Sequence, residues 1–138
     1  EKIFHAADYD VRILDRHWGV RVRNLFDTSI AAAFLGSEMR GLAAVLMEYL
    51  TIKISKDKKL QRADWSRRPL PHELLQYAAE DVRHLHSLRD LLHQKLYDLG
   101  RMEWVQEEFQ RLANVDYTPP DTEWGFLSIK GTSWLDET

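Results

Sequence analysis

Hydrophobic residues recur at steps of three, four and seven between His72 and Gly100. This spacing predicts one long amphipathic helix with a single apolar stripe. Asp81 falls close to the middle of the stripe, and Tyr77 lies one turn before it, at the edge. The apolar positions of the stripe are Leu74, Ala78, Val82, Leu85, Leu92, Leu96 and Leu99.

Asp81 is the residue that this stripe does not explain. A carboxylate at an apolar position costs stability unless it is paired, hydrogen-bonded or bound to a metal ion. Two interpretations stay open at this point. One is a boundary aspartate that meets an arginine or a helix N-terminus, and the other is a functional carboxylate. The pattern alone favours the first, because structural ion pairs outnumber functional sites.

Strands and helices alternate in the first fifty residues. The patterns predict strands at 2–6 and 20–26 and helices at about 8–18, 28–35 and 42–50. This order favours an α/β fold with a parallel sheet. Two strands are too few for a sheet that stands alone, so we expect further strands from outside this chain.

Three aspartates lie at the starts of predicted helices. Asp8 is a natural N-cap, and Asp27 is interpreted as the cap of the following helix. Asp10 lies in a first turn, just past the end of a strand, where open α/β sheets bind ligands. The alternative is that Asp10 only complements the helix dipole. His5 is interpreted as a packing residue.

Composition narrows the class of protein. The net charge is −3 and cysteine is absent, which excludes disulfides and thiolate metal sites and fits a reducing, cytoplasmic compartment. No apolar run is long enough to cross a membrane. The chain begins Glu1-Lys2 without methionine, which suggests a piece of a longer polypeptide.

Basic residues concentrate in one irregular segment, residues 52–68, which holds seven basic residues and two acidic ones. Such a segment attracts a phosphate chain, although a solvated lysine-rich loop is an equal alternative. Trp65 could stack on a base, but packing on the domain is favoured. The candidate nucleic-acid-binding residues are Lys56, Lys58, Lys59, Arg62, Trp65, Arg67 and Arg68.

Four segments in a fixed order resemble one enzyme family. The chain is similar to the ribonuclease D group of 3′–5′ exonucleases, the tyrosine subclass of the DEDD nucleases. The matching segments are Ile3–Asp10, Asn24–Ala32, Gln61–Leu70 and Tyr77–Asp81. The resemblance implies the C-terminal part of a ribonuclease H-like domain, helix-rich, with at most two or three strands.

The resemblance also implies roles for individual residues. Asp10 matches the aspartate of the second family motif, and Asp81 and Tyr77 match the metal-binding aspartate and the tyrosine of the third. We therefore expect Asp10 and Asp81 to bind divalent metal, Mg²⁺ or Mn²⁺, with two ions in the complete site. The implied activity is trimming of RNA or tRNA, one nucleotide at a time, from single-stranded RNA 3′ ends, with DNA as a further candidate.

One family motif has no counterpart in this sequence. The first motif, Asp-x-Glu, belongs on a strand before residue 1, together with three antiparallel strands. We therefore expect at most half of the four-carboxylate site, and a fragment that is inactive alone. The alternative function is a non-catalytic nucleic-acid-binding or assembly module. An exposed edge of the strand at 2–6 predicts a homo-oligomer or another form of edge pairing.

The expected domain organisation has three parts. Residues 1–112 form a partial exonuclease domain that ends with a helix at 102–112, and residues 113–123, which include Thr118-Pro-Pro-Asp121, form a linker. Residues 124–138 resemble the start of a helical nucleic-acid-binding (HRDC) domain.

Overall fold

The computed structural model describes residues 1–54 and 57–116. Lys56, most of the expected linker and the expected second unit at 124–138 lie outside the described residues. The elements in chain order are β1 (Lys2–Phe4), α1 (Asp8–Trp18), β2 (Leu25–Asp27), α2 (Thr28–Phe34), α3 (Leu42–Leu50), α4 (Lys58–Gln61), α5 (His72–Arg83), α6 (Leu85–Asp98) and α7 (Met102–Ala113). Within the described residues, no helix combines the length and the apolar character that a membrane crossing needs.

The strands β1 and β2 pair in parallel, as the order of elements predicts. Ile3 lies opposite Phe26 in the register, and Lys2 N donates to Asn24 O at 2.8 Å. The predicted second strand began too early, because the alternating residues Val20–Arg23 are not a strand. Gly19 adopts a left-handed conformation that ends α1, and Val20 N donates to Leu14 O at 3.2 Å. The helix end therefore uses the donor that a strand would need.

Helix α6 lies at the centre of the core. Leu88, Leu92 and Leu96 are completely buried on its inner face. This face contacts α2, α3 and α7, and α6 also contacts β1. Phe26 of β2 is buried beside it and packs against Phe109 of α7, with ring centroids 4.9 Å apart. The short sheet is thus held by helices rather than by further strands of the described chain.

The prediction of one helix from His72 to Gly100 was wrong. Helix α5 ends at Arg83 and α6 begins at Leu85, because His84 has φ −100° and ψ −1°, which departs from α-helical values. The rotation of the helix is not carried through this residue, so the stripe does not form one face. Val82, before the break, is 58% exposed, whereas Leu92 within α6 is buried. Leu99, which follows the end of α6, is 56% exposed.

The basic segment contains a helix that the pattern did not predict. Helix α4 is a single turn, capped by Asp57, whose side chain accepts from Lys59 N at 2.8 Å. Further along, the Asp64 side chain accepts from Ser66 N at 3.0 Å and forms a second turn. Trp65 belongs to this second turn, and its ring packs beside Tyr77 of α5, with the two ring centroids 6.1 Å apart. The segment therefore folds back onto α5.

Candidate metal centre

Asp10 and Asp81 line the same pocket, although they are far apart in the chain. Asp10 lies in the first turn of α1, directly after the β1 strand and its following turn. Asp81 lies in the last turn of α5. The pocket has a volume of about 450 Å³, and its other lining residues are Ile3, Phe4, His5, Leu42, Val82 and Leu85. The structure thus brings together the two carboxylates that the sequence singled out.

The chemistry of this pocket suits a hard cation. Carboxylate oxygens are the ligands that Mg²⁺ and similar cations prefer. A divalent cation bound by both carboxylates would neutralise their two negative charges. Within residues 1–54 and 57–116, however, no group of three or more histidine, aspartate and glutamate side chains could hold a metal ion. The described residues therefore fit a two-carboxylate portion of a metal centre.

The β1–α1 turn, which forms one side of the pocket, is held by several hydrogen bonds. The His5 Nδ1 atom lies 2.8 Å from Thr28 Oγ1, and His5 Nε2 lies 2.9 Å from Arg40 O. Ala6 has φ 60°, in the left-handed region that costs a non-glycine residue about 1–2 kcal/mol. The ring of His5 is therefore fixed by α2 and by the loop before α3, as expected for a packing residue.

Asp27 does more than the sequence predicted. It caps α2 as expected, accepting from Ser29 N at 2.8 Å and Ile30 N at 3.2 Å. It also accepts from Ala6 N at 3.1 Å and Ala7 N at 2.7 Å, in the β1–α1 turn. Sequence analysis missed this second role, because periodicity carries no information on contacts between residues twenty positions apart. The available signal was its place in the matched segment Asn24–Ala32.

The prediction for Asp8 was wrong in detail. Asp8 is the first residue of α1 rather than its N-cap, and the cap position is Ala7, which makes no side-chain capping bond. The Asp8 carboxylate instead pairs with Arg12 at 3.0 Å, one helical turn later. Its negative charge still lies near the helix N-terminus, where it favours the helix dipole.

Tyr77 lies one turn before Asp81 but lines a neighbouring pocket. That pocket, of about 580 Å³, is also bordered by Asp57, Glu80 and Arg83. Burial raises the pKa of the Tyr77 phenol, and the negative charges of Asp81 and Asp57 raise it further. The phenol is therefore neutral at pH 7 and can donate a hydrogen bond. His84, at the end of the same helix, lies 3.4 Å from Glu80 rather than in the carboxylate pocket.

Titration of Tyr77 is a direct check of its environment. We expect the ionisation of this phenol to have a midpoint above the ordinary tyrosine value of about 10. The 295 nm absorbance titration of the chain minus that of Tyr77→Phe isolates the signal. Asp81→Asn is expected to lower the midpoint, because it removes a negative charge that disfavours the phenolate. An unchanged midpoint in Asp81→Asn would show that Asp81 does not act on Tyr77.

The basic segment presents several side chains without partners inside the described chain. Within that part of the chain, Lys58, Lys59, Arg62 and Arg67 form no side-chain hydrogen bond or ion pair. Arg68 differs, because its Nη1 atom donates to Trp65 O and Arg67 O, each at 2.9 Å. Trp65 packs against Tyr77 and α4 contacts α5, so the basic segment lies next to the helix that carries the phenol.

Comparisons with known proteins agree on one family. The model of the 3′–5′ exonuclease family matches residues 1–97. Ribonuclease D of Zymomonas mobilis is 41% identical over 130 residues, covering 94% of this chain and 33% of that protein. Ribonuclease D of Xanthomonas oryzae is 34% identical, over 98% of this chain and 37% of that protein. The chain thus spans about a third of the length of these relatives.

Several solved structures are similar to this chain in both fold and sequence. The catalytic core of RRP6 from Trypanosoma brucei matches with a TM-score of 0.79 and 33% identity, over 96% of this chain and 37% of that chain. Brucella melitensis NrnC bound to pGG matches with a TM-score of 0.73 and 32% identity, over 81% and 54%. NrnC with bound Mg²⁺ matches at 0.72 and 28%, over 96% and 60%.

Proposed function

Because this chain belongs to the 3′–5′ exonuclease family as a ribonuclease D-like member, we propose that it is part of a divalent-metal-dependent 3′–5′ exoribonuclease. The observation that carries the proposal is the convergence of Asp10 and Asp81 on one pocket. The two aspartates come from different elements and from two separate matched segments. Two unrelated surface carboxylates would not be expected to line the same pocket.

Asp10 and Asp81 are the residues that would hold the metal. When bound, divalent cations supply charge stabilisation at phosphorus and activation of water, which is the usual contribution of metals to phosphodiester hydrolysis. NrnC has been solved with Mg²⁺, and we propose Mg²⁺ or Mn²⁺ here, with two ions in the complete site. The role of the aspartates is to fix the cation beside the apolar wall formed by Ile3, Phe4 and Leu85.

Tyr77 has a different role in this proposal. Like an ordinary tyrosine, its phenol is neutral at pH 7, and burial and nearby negative charge raise its pKa further. It is therefore not a base at that pH. It would instead hydrogen-bond the attacking water and orient it. Water adds to phosphorus, the 3′ oxygen of the preceding nucleotide leaves as a hydroxyl, and a nucleoside monophosphate is released.

The basic segment supplies a path for the RNA strand. We propose that Lys58, Lys59, Arg62 and Arg67 contact phosphates, together with Lys56 and Arg68. These contacts are electrostatic and independent of sequence, which suits an enzyme that removes successive nucleotides. Trp65 is half-buried and its ring lies beside that of Tyr77, so it is less available for base stacking than an exposed tryptophan would be. The name ribonuclease D and the pGG ligand of NrnC support an RNA substrate.

A labelled-strand assay tests the activity. We expect the natural gene product to shorten a 5′-labelled single-stranded RNA into a ladder from its 3′ end in Mg²⁺, and to stop in EDTA. The same oligonucleotide made of DNA is the control for substrate class. RNA that is bound in a salt-dependent manner but is not shortened would refute the enzyme and support a non-catalytic binding module.

The 138-residue chain alone provides the complementary test. Its described residues offer two carboxylates in the pocket, and no group of three potential ligands occurs among them. Two carboxylates are too few to hold two cations and neutralise the charge that develops at phosphorus. We therefore expect this chain to show no turnover in the same assay. Turnover that disappears in Asp81→Ala would contradict this expectation.

A further inference from the structure

The start of α2 holds the turn that leads into α1. Asp27 is completely buried, and its carboxylate accepts four backbone N–H groups. Two of these, from Ser29 and Ile30, belong to the start of α2, and the other two, from Ala6 and Ala7, belong to the β1–α1 turn. An ordinary helix cap needs only the first two. The bonds to Ala6 and Ala7 therefore serve the turn.

Thr28 adds a second connection to the same turn. Its completely buried hydroxyl donates to Phe4 O at 2.9 Å and lies 2.8 Å from His5 Nδ1. Asp27 and Thr28, called here the clamp, thus contact every residue from Phe4 to Ala7. Between them, Ala6 keeps a left-handed conformation that alanine rarely adopts. Such a backbone persists only where the surroundings determine it, and here the clamp bonds flank it.

The clamp lies next to the carboxylate pocket. Phe4 and His5 line that pocket, and the Ala7 carbonyl accepts the first bond of α1, from Val11 N at 2.9 Å. Asp10 lies in the helical turn that this bond closes. The direction in which α1 leaves the sheet, and with it the place of the Asp10 carboxylate, therefore depends on where Ala6 and Ala7 are held.

We propose that Asp27 and Thr28 are positioning residues for the metal centre, acting through the β1–α1 turn on Asp10. The inference rests on the proposed function in that it takes Asp10 and Asp81 as the metal-binding pair. Asp27 does not touch the metal in this scheme, since within the described residues the four hydrogen bonds of its carboxylate go to backbone N–H groups. Groups that orient a metal ligand in this way affect metal affinity by about 10- to 100-fold.

Asparagine at position 27 separates the two roles of this carboxylate. Asparagine caps helices as well as aspartate does. Its single carbonyl oxygen can take the place of Oδ1, which accepts from Ala6, Ser29 and Ile30. Its amide group then faces Ala7 N, where two donors meet and the bond at 2.7 Å is lost. Asp27→Asn therefore removes the bond from Ala7 while α2 keeps its cap.

The test measures Mn²⁺ binding to the natural gene product by the loss of the free-ion electron paramagnetic resonance signal, at a temperature where every variant is folded. We expect the Kd for the Asp10-dependent ion to rise about 10-fold or more in Asp27→Asn and in Thr28→Val. Thr28→Ser keeps the hydroxyl and is expected to bind as the wild type does. Ala31→Gly is the matched control. Ala31 is completely buried in α2, and glycine at this position destabilises the helix without changing a residue that bonds to the turn.

The outcomes are distinct. Wild-type affinity in Asp27→Asn and Thr28→Val would overturn the inference, and so would an equal loss of affinity in Ala31→Gly. The absence of any Asp10-dependent Mn²⁺ binding in the wild type would also overturn it, because no site would exist to be positioned. The expected pattern of affinities in a protein that does not shorten RNA would uphold the positioning role and refute only the proposed exonuclease function.

Discussion

Asp81→Asn in the natural gene product is expected to lower the single-turnover rate of RNA shortening by about 1,000-fold or more. Metal assistance contributes several kcal/mol to phosphodiester hydrolysis, and each 1.36 kcal/mol corresponds to a factor of ten in rate. Asparagine keeps the size of the side chain but lacks the negative charge that holds a cation. The measurement is the single-turnover rate in Mg²⁺ with 5′-labelled RNA.

Two observations separate this effect from unfolding. The thermal midpoint of Asp81→Asn, followed by circular dichroism, shows whether this variant is folded at the temperature of the assay. Asp98→Asn is the matched control. It changes an exposed carboxylate at the end of α6, whose partner is Gln94 at 2.8 Å. Wild-type turnover in Asp81→Asn would remove Asp81 from the metal centre and leave the proposed mechanism without its main residue.

The candidate site was predictable to the extent that it depends on residue identity in ordered segments. Asp10 and Asp81 could be named because each lies in a segment that resembles the family, and the structure places them around one pocket. The function of Asp27 in the turn was not predictable in the same way. Its bonds to Ala6 and Ala7 join residues 21 and 20 positions apart, and neither helical nor strand periodicity reports such contacts.

The helices followed from periodicity more reliably than the strands did. Helix α3 has the predicted bounds, Leu42–Leu50, because its apolar positions recur at helical spacing and its inner face is buried. The second strand was displaced, because alternation at Val20–Arg23 was stronger than at Leu25–Asp27. The latter segment is buried at every position, and such strands show no alternation.

The break at His84 was the largest error in the predicted fold. No glycine or proline occurs at this position, so the sequence offered no stop signal. A period of three to four residues continues across the break by chance, since α5 and α6 each have their own apolar positions. The C-terminal end of the stripe can be tested separately, because two of its leucines, Leu92 and Leu99, have opposite environments in the structure.

Leu92→Ala is expected to lower the free energy of unfolding by about 2–5 kcal/mol, because Leu92 is completely buried in the core. Leu99→Ala is the matched control, with the same change in side chain at a residue that is 56% exposed, and its effect is expected to stay within about 0.5 kcal/mol. The measurement is urea denaturation of both variants beside the unchanged chain, with equal slopes. A helix that continued through Leu99 with the same face buried would instead give similar losses at both positions. Comparable destabilisation would therefore show that Leu99 is buried as well and would contradict the end of α6 at Asp98.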